Sequence, residues 1–259
     1  MHLDIVNVFT KQKVVGAGFK KLSEEVIINK MRSKLEDVIE PAQFAYQPHI
    51  GTVDALIKLL DDFTSELDNP NVKYIQSAAL DFSKAFDRLQ PAVLIQKLEG
   101  YNFNPRIISL ISSFLDNRLQ CVKYGNEQSQ YISTKVGAPQ GTKLGPILWL
   151  LYSNDLAADG FNHIKYADDT TFYTSVVNPN HTSAIASSVL STQQWATDNN
   201  MQLNSENTVV MNTNLSYMSN YEQDDVVIDD FSLSPNAYTK FIGVFIDNKL
   251  SFNKHVDFL

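Results

Sequence analysis

The tetrapeptide Tyr166-Ala167-Asp168-Asp169 stands between Ile164 on one side and Phe172-Tyr173 on the other. Two short β-type runs separated by two residues read as a tight hairpin, with Ala167 and Asp168 at its centre and Tyr166 opposite Asp169. Such a turn asks for positive φ, which Gly or Asp tolerates and Ala does not, so strain is expected at Ala167. The hairpin also places two carboxylates between apolar strand residues, where an unpaired charge costs several kcal/mol. An Asp pair is weak evidence by itself. The chain has 20 Asp in 259 residues and four such pairs, at 61–62, 168–169, 224–225 and 229–230, and most pairs of this kind are solvated turns. Only the pair at 168–169 has the apolar setting.

A second strand, Tyr74 to Phe82, carries the small residues Ser77 and Ala79 on the same face as Asp81 by the two-residue period of a strand. If the two strand ends are neighbours, three carboxylates converge and need neutralising. Mg²⁺ does this: it takes oxygen ligands, and in pairs it clamps the attacking and leaving oxygens of a phosphoryl displacement.

The surrounding pattern is α+β with an antiparallel sheet. Apolar spacings of three and four predict helices over 19–39 and after Thr52, and Asp68-Asn69-Pro70-Asn71 marks a turn. Pro91 and Pro105 open helices over 91–99 and 105–116. Residues Leu119–Tyr124 and Gln130–Val136 read as a hairpin, and Thr142–Ala158 as a buried helix. Further on, a helix is expected over 182–198 and strands over 208–213, 226–231 and 240–246. The single cysteine, Cys121, excludes an internal disulfide, and no Cys/His cluster has zinc-ligand spacing. No apolar stretch approaches eighteen residues, and the N-terminal sequence lacks a signal-peptide pattern, so an intracellular protein without a membrane partner is expected. The charge balance, 21 Lys+Arg against 29 Asp+Glu, argues against holding nucleic acid by bulk charge. Five of those acids fall within Glu222–Asp230 and three are the candidate metal ligands, and the remaining chain is neutral.

Taken in order, the motifs resemble the reverse-transcriptase domain of non-LTR (LINE-type, jockey-like) retrotransposons. Ala79-Leu80-Asp81-Phe82-Ser83-Lys84-Ala85-Phe86-Asp87 is similar to the first palm motif of that family, and Gly137-Ala138-Pro139-Gln140-Gly141-Thr142 with the apolar run to Leu156 to the second. Tyr166-Ala167-Asp168-Asp169 matches the third, Trp195–Met211 follows the fourth, and Phe241–Asp247 with Leu250-Ser251-Phe252 and His255 follows the fifth. Upstream, Gln43-Phe44-Ala45-Tyr46-Gln47-Pro48-His49 and Thr52-Val53-Asp54-Ala55 resemble the segment before the palm. The likeness covers roughly residues 14 to 259 and implies a right-hand polymerase palm with partial fingers and no thumb. Residues 14–73 would be fingers, 74–90 and 130–259 palm, and 91–129 the connection. It implies an RNA-directed DNA polymerase that joins a deoxynucleoside triphosphate to a primer 3′-hydroxyl on an RNA or DNA template, with two Mg²⁺, or Mn²⁺ in their place. Asp81 and Asp168 would be the main metal ligands, Asp169 a third carboxylate, and Phe82 a carbonyl donor. Phe86 would crowd the sugar 2′ carbon, excluding the hydroxyl that distinguishes RNA from DNA. Gln140, Gly141 and Tyr166 would complete the nucleotide site.

Two departures matter. The family usually has Lys just before Thr in its fourth motif, as general acid to the leaving pyrophosphate, and here Asn207 precedes Thr208. General acid catalysis is typically worth about 10²–10⁴ in rate. The N-terminal cations that clamp the triphosphate in the family have no recognisable counterpart, Gln47 and Ile50 stand where relatives often have Arg, and the chain has only four Arg. Two readings therefore stay open: an active polymerase, and an inactive remnant that binds nucleic acid or protein.

Overall fold

Pro91 opens the helix Pro91–Gly100 and Pro105 the helix Pro105–Leu115, where the Asn104 side chain accepts a hydrogen bond from the Arg106 N–H at 2.9 Å. The structure is a computed structural model that describes residues 7–12, 17–124, 126–179, 183–215, 225–228 and 231–259. In chain order its elements are β1 (Asn7–Gln12), α1 (Ala17–Val38), α2 (Thr52–Leu67), β2 (Tyr74–Leu80), α3 (Ala85–Arg88), α4 (Pro91–Gly100), α5 (Pro105–Leu115), β3 (Arg118–Tyr124), β4 (Glu127–Gln128), β5 (Ile132–Thr134) and α6 (Leu144–Ser153). They continue as β6 (Asn162–Tyr166), β7 (Asp169–Val176), α7 (Ala186–Asp198), β8 (Val209–Thr213), β9 (Val226–Ile228), β10 (Phe231–Leu233), β11 (Tyr238–Phe241), β12 (Val244–Asp247) and α8 (Asn253–Phe258). The mixed helix and antiparallel-sheet class expected from the sequence is what the chain adopts. No helix among the described residues is long and apolar enough to cross a membrane.

The chain divides into two compact units. The first comprises residues up to Ile39 together with Lys84–Asn154. Its core holds Leu94 and Leu98 of α4, Ile111 and Leu115 of α5, and Leu144, Leu148, Trp149 and Leu151 of α6, all buried. The α6 N-terminus is capped twice. Thr142 Oγ1 accepts from the Gly145 N–H at 3.1 Å, and the buried Glu24 carboxylate of α1 accepts from the N–H groups of Lys143 (2.8 Å) and Leu144 (3.3 Å). This puts a negative charge where the helix dipole and its unpaired donors favour one. The helix is shorter than the expected Thr142–Ala158, because Thr142 serves as a cap and the Asn154 side chain turns back to the Val38 carbonyl (2.9 Å). The expected hairpin at 119–136 forms with its second arm divided into β4 and β5, since the Ser129 hydroxyl accepts from the Val122 N–H and interrupts the ladder. Strand β1, which the sequence reading did not foresee, pairs antiparallel with β3.

The second unit comprises Glu40–Ser83 and Asp155–Leu259. Its sheet has the order β6-β7-β2-β8, all antiparallel. On one face Ala55, Leu59 and Phe63 of α2 pack with Ile75, Ile164, Tyr173 and Met211, joined by Phe241 and Ile246 of the β11–β12 hairpin. A fully buried Gln76 on β2 accepts at Oε1 from the Ser183 hydroxyl and the Ile185 N–H and donates from Nε2 to Asn212. The single strand expected at 240–246 is this hairpin, because Ile242 (φ 49°) and Gly243 (φ 88°) both enter the left-handed region and make a two-residue turn. The strand expected at 226–231 is likewise a pair, β9 and β10, with residues 229–230 outside the described set.

Candidate active site

The second unit brings Asp81, Asp168 and Asp169 to one end of its sheet. Leu80 of β2 pairs with Thr170 of β7, so Asp81, one step on, comes level with Asp169. Tyr166 pairs with Asp169 across the β6–β7 turn, as the sequence predicts, leaving Ala167 and Asp168 at the tip. Ala167 has φ 60° and is buried, and Asp168 is not among the residues with positive φ. One positive φ at the first central position is the type II′ pattern, which normally takes glycine there, so the expected strain is present.

Below the turn lies a cavity of about 210 Å³ whose lining includes Ala79, Asp81, Asp169, Thr171, Asn207 and Lys240. The small Ala79 on the Asp81 face leaves this space open. Asp81 Oδ2 accepts from Asn204 Nδ2 (2.8 Å) and Asn207 Nδ2 (2.9 Å), and the Asp81 carbonyl accepts from the Asn204 N–H (2.8 Å). These amides orient the carboxylate without cancelling its charge. Phe82 is buried, bridges to Leu203 and sets its ring 5.7 Å from that of Trp195.

Burial and neighbouring charge raise two of the carboxylates, Asp168 and Asp169. Burial, with the Asp81 charge adding to it, lifts the Asp168 carboxyl above its ordinary value, partly offset by a backbone hydrogen bond. Asp169 keeps surface open to solvent, yet the atoms around the cavity mouth displace much of its hydration. That desolvation, followed by the charges of Asp168 and Asp81, pushes it up to about 6. An all-oxygen donor set carrying unrelieved negative charge suits a hard divalent cation. The fit is one of donor chemistry alone: among the described residues no three His, Cys, Asp or Glu side chains gather closely enough to hold a metal ion.

The remaining candidates, Phe86, Gln140 and Gly141, belong to the first unit, where a glycine brings them onto one segment. Gly137 has φ 83°, and a Cβ there would lie 2.9 Å from the Asp87 carbonyl oxygen. Its N–H donates to Leu89 O (2.7 Å), the Ala138 N–H donates to Phe86 O (2.8 Å), and Gln140 Nε2 reaches Asp87 Oδ1 at 3.1 Å. Phe86 is half-buried, its ring centroid 5.5 Å from that of Trp149. Gly141 takes φ 72° with open space where a Cβ would be.

Three residues beside the carboxylates carried no role in the sequence reading. Asn204 and Gln43 act through neutral hydrogen bonds, which leave no spacing signature. Lys240 lines the cavity with its ammonium over the rings of Phe245 and Phe258, and the alternation along β11, which buries Thr239 and Phe241 and leaves Lys240 exposed, gives no sign of it.

A family described as "Reverse transcriptase (RNA-dependent DNA polymerase)" matches residues 19–246. The RNA-directed DNA polymerase from mobile element jockey of Drosophila melanogaster is 25% identical over 251 residues, 91% of this chain and 26% of that protein. The protein of the same description from Drosophila funebris is 28% identical over 250 residues, again 91% of this chain and 26% of its own length. The chain thus spans about a quarter of the curated relatives it matches. Among solved structures, telomerase from Candida albicans, in complex with a fragment of telomeric RNA, superposes with a TM-score of 0.60 at 17% identity. That likeness covers 90% of this chain and 38% of the telomerase chain. Apo telomerase from Candida tropicalis, truncated of its C-terminal domain, gives 0.58 at 15% identity over 89% of this chain and 44% of its own.

Proposed function

The chain belongs to the reverse transcriptase (RNA-dependent DNA polymerase) family, and from that premise we propose that it is the polymerase domain of a non-LTR retrotransposon protein. The reaction is attack of a primer 3′-hydroxyl on the α-phosphate of a deoxynucleoside triphosphate, templated by RNA or DNA. The 3′-hydroxyl gives up its proton to solvent, one P–O bond forms at the α-phosphorus, the bond from that phosphorus to the bridging oxygen of the β-phosphate breaks, and pyrophosphate leaves. The observation that supports this reading best is the convergence of Asp81, Asp168 and Asp169 at one sheet end beside an open cavity.

Divalent cations, a pair of Mg²⁺ or Mn²⁺, supply when bound the charge that steadies the attacking and leaving oxygens. Asp81 and Asp168 would hold them, Asp169 would add a third carboxylate, and the Phe82 carbonyl would be a further oxygen donor. Asn204 and Asn207 fix the rotamer of Asp81. Asn207, being a neutral amide, has no proton to give the pyrophosphate. Phe86 acts as the ring that leaves no room for a 2′-hydroxyl. Gln140, Gly141 and Tyr166 contact the nucleotide. In this reading residues 74–90 and 130–259 form the palm, 14–73 the partial fingers, and 91–129 the connection.

A second reading, a non-catalytic domain that binds nucleic acid or protein, is favoured by one observation. Asp81 Oδ2 already accepts two amide hydrogen bonds. Primer extension separates the two. With Mg²⁺, deoxynucleotides and a DNA primer on an RNA template, the wild-type chain should extend and Asp168→Asn should extend at least about 100-fold more slowly. Extension that is absent, or that Asp168→Asn leaves unchanged, overturns the polymerase reading.

A further inference from the structure

Ala167 poses a local problem: a buried L-residue in the left-handed region, at a turn position that prefers glycine, holds the carboxylate-bearing tip in place. In a two-residue hairpin the ladder ends at the pair that flanks the turn, so the N–H of the first central residue points away from it. Here that N–H is not left bare. It donates to Gln43 Oε1 at 3.2 Å, and the same oxygen accepts from the Ala45 N–H at 2.9 Å, using both of its lone-pair directions. Gln43 is 3% exposed. An amide side chain this buried, with its acceptor filled by two backbone donors from different segments, is a fixed bracket.

The segment around it is fastened along its length to β6. Lys165 N donates to Ala42 O (2.8 Å) and Phe44 N to Lys165 O (2.9 Å), making a parallel bridge at Gln43. Glu40 accepts from His163 Nε2 at 2.9 Å and pairs with the Lys165 ammonium, which is 1% exposed. Burial alone would raise the Glu40 carboxyl, but His163 and Lys165 together hold it below the usual carboxylate range. At the far end Gln47 Nε2 donates to the Gln43 carbonyl. The strap from Glu40 to Gln47 therefore grips the last residues of β6 and the first residue of the turn.

We propose that Gln43 is a positioning residue for the site: its side-chain oxygen, held by the strap, fixes the Ala167 peptide and thereby the direction in which Asp168 presents its carboxylate. The catalytic consequence rests on the polymerase reading above, whereas the mechanical one does not. A displacement of about 1 Å at a metal-holding carboxylate is enough to cost roughly 100-fold in rate.

The test uses the whole chain and the variants Gln43→Glu, which keeps an acceptor oxygen, and Gln43→Met, a near-isostere without one. Amide exchange of Ala167, read by NMR, is the activity-independent measurement. It should be slow in the wild type and in Gln43→Glu and at least about tenfold faster in Gln43→Met. Primer extension should follow, with kcat about tenfold lower in Gln43→Met, KM for the deoxynucleotide within about twofold, and Gln43→Glu restoring the rate. Binding of Mn²⁺ followed by its paramagnetic signal should weaken in the Met variant alone. Fast exchange of Ala167 in the wild type overturns the proposal even if no variant folds. Wild-type behaviour of Gln43→Met in exchange and Mn²⁺ binding overturns it too. A wild-type chain that extends nothing but shows the exchange and Mn²⁺ pattern instead counts against the polymerase reading and leaves the bracket standing.

Discussion

At the level of single residues the site is a crowd of like charges. Because burial and the neighbouring Asp168 and Asp81 lift Asp169 to about 6, its folded value lies above its unfolded one. The folded state then binds the proton more tightly, so stability is greatest below the unfolded value near 4 and falls as pH rises through about 6. Without divalent cations the melting temperature should drop between pH 5 and pH 7; added Mg²⁺ should restore it, and Asp169→Asn should flatten both responses. A melting temperature that is flat over that range and indifferent to Mg²⁺ contradicts the picture. Asn207 offers a second check. Asn207→Lys places an ammonium beside Asp81 and a proton donor in the cavity, so the single-turnover extension rate should rise at least about tenfold; an unchanged rate would mean proton donation does not limit the chemistry. That the three aspartates meet at one sheet end was legible in the sequence, because charge inside an apolar strand is costly and needs a reason. Asn204 and Gln43 were not, since an amide is at home on almost any surface and only its partners reveal its task.

The element that decides the site is the β6–β7 turn, and its conformation can be perturbed cleanly. Ala167→Gly removes the left-handed penalty and should raise stability by up to about 1 kcal/mol in denaturant unfolding, whereas a β-branched Ala167→Val should lower it by more than that. In the first unit, Gly137→Ala combines positive φ with a Cβ 2.9 Å from the Asp87 carbonyl oxygen. It should cost about 2 kcal/mol or more and separate Gln140 from Asp87, visible in the same unfolding experiment and in a raised KM for nucleotide. The tight β6–β7 turn and the proline-opened helices could be read from sequence, because each depends on residues within a few positions. The division at Ile242-Gly243 was missed although Gly243 marks it, since the apolar run on either side reads as one strand. Apolar periodicity overextends α6 for a related reason: it runs past the points where Thr142 and Glu24 fix the start of the helix and Asn154 ends it.

For the molecule as a whole, a formal charge of -8 is compatible with a polymerase that grips its template lightly. Neutralising few phosphates releases few counterions, so the slope of log affinity against log salt for a primer–template should be no steeper than about −3. A steep slope would point to a basic surface that the composition does not suggest. The fold class was legible at this scale because alternating and helical apolar periods survive substitution, while strand β1 was not, since its pairing with β3 is set by a partner more than a hundred residues away. The polymerase reading requires that Asp81 and Asp168 together form a divalent-metal centre. Anomalous diffraction from crystals soaked in Mn²⁺ with a deoxynucleoside triphosphate tests it directly. Two peaks roughly 3.5–4 Å apart, each about 2.1 Å from a carboxylate oxygen of Asp81 or Asp168, are the predicted result. Bound nucleotide with no metal at these aspartates, or metal held elsewhere, would rule that centre out.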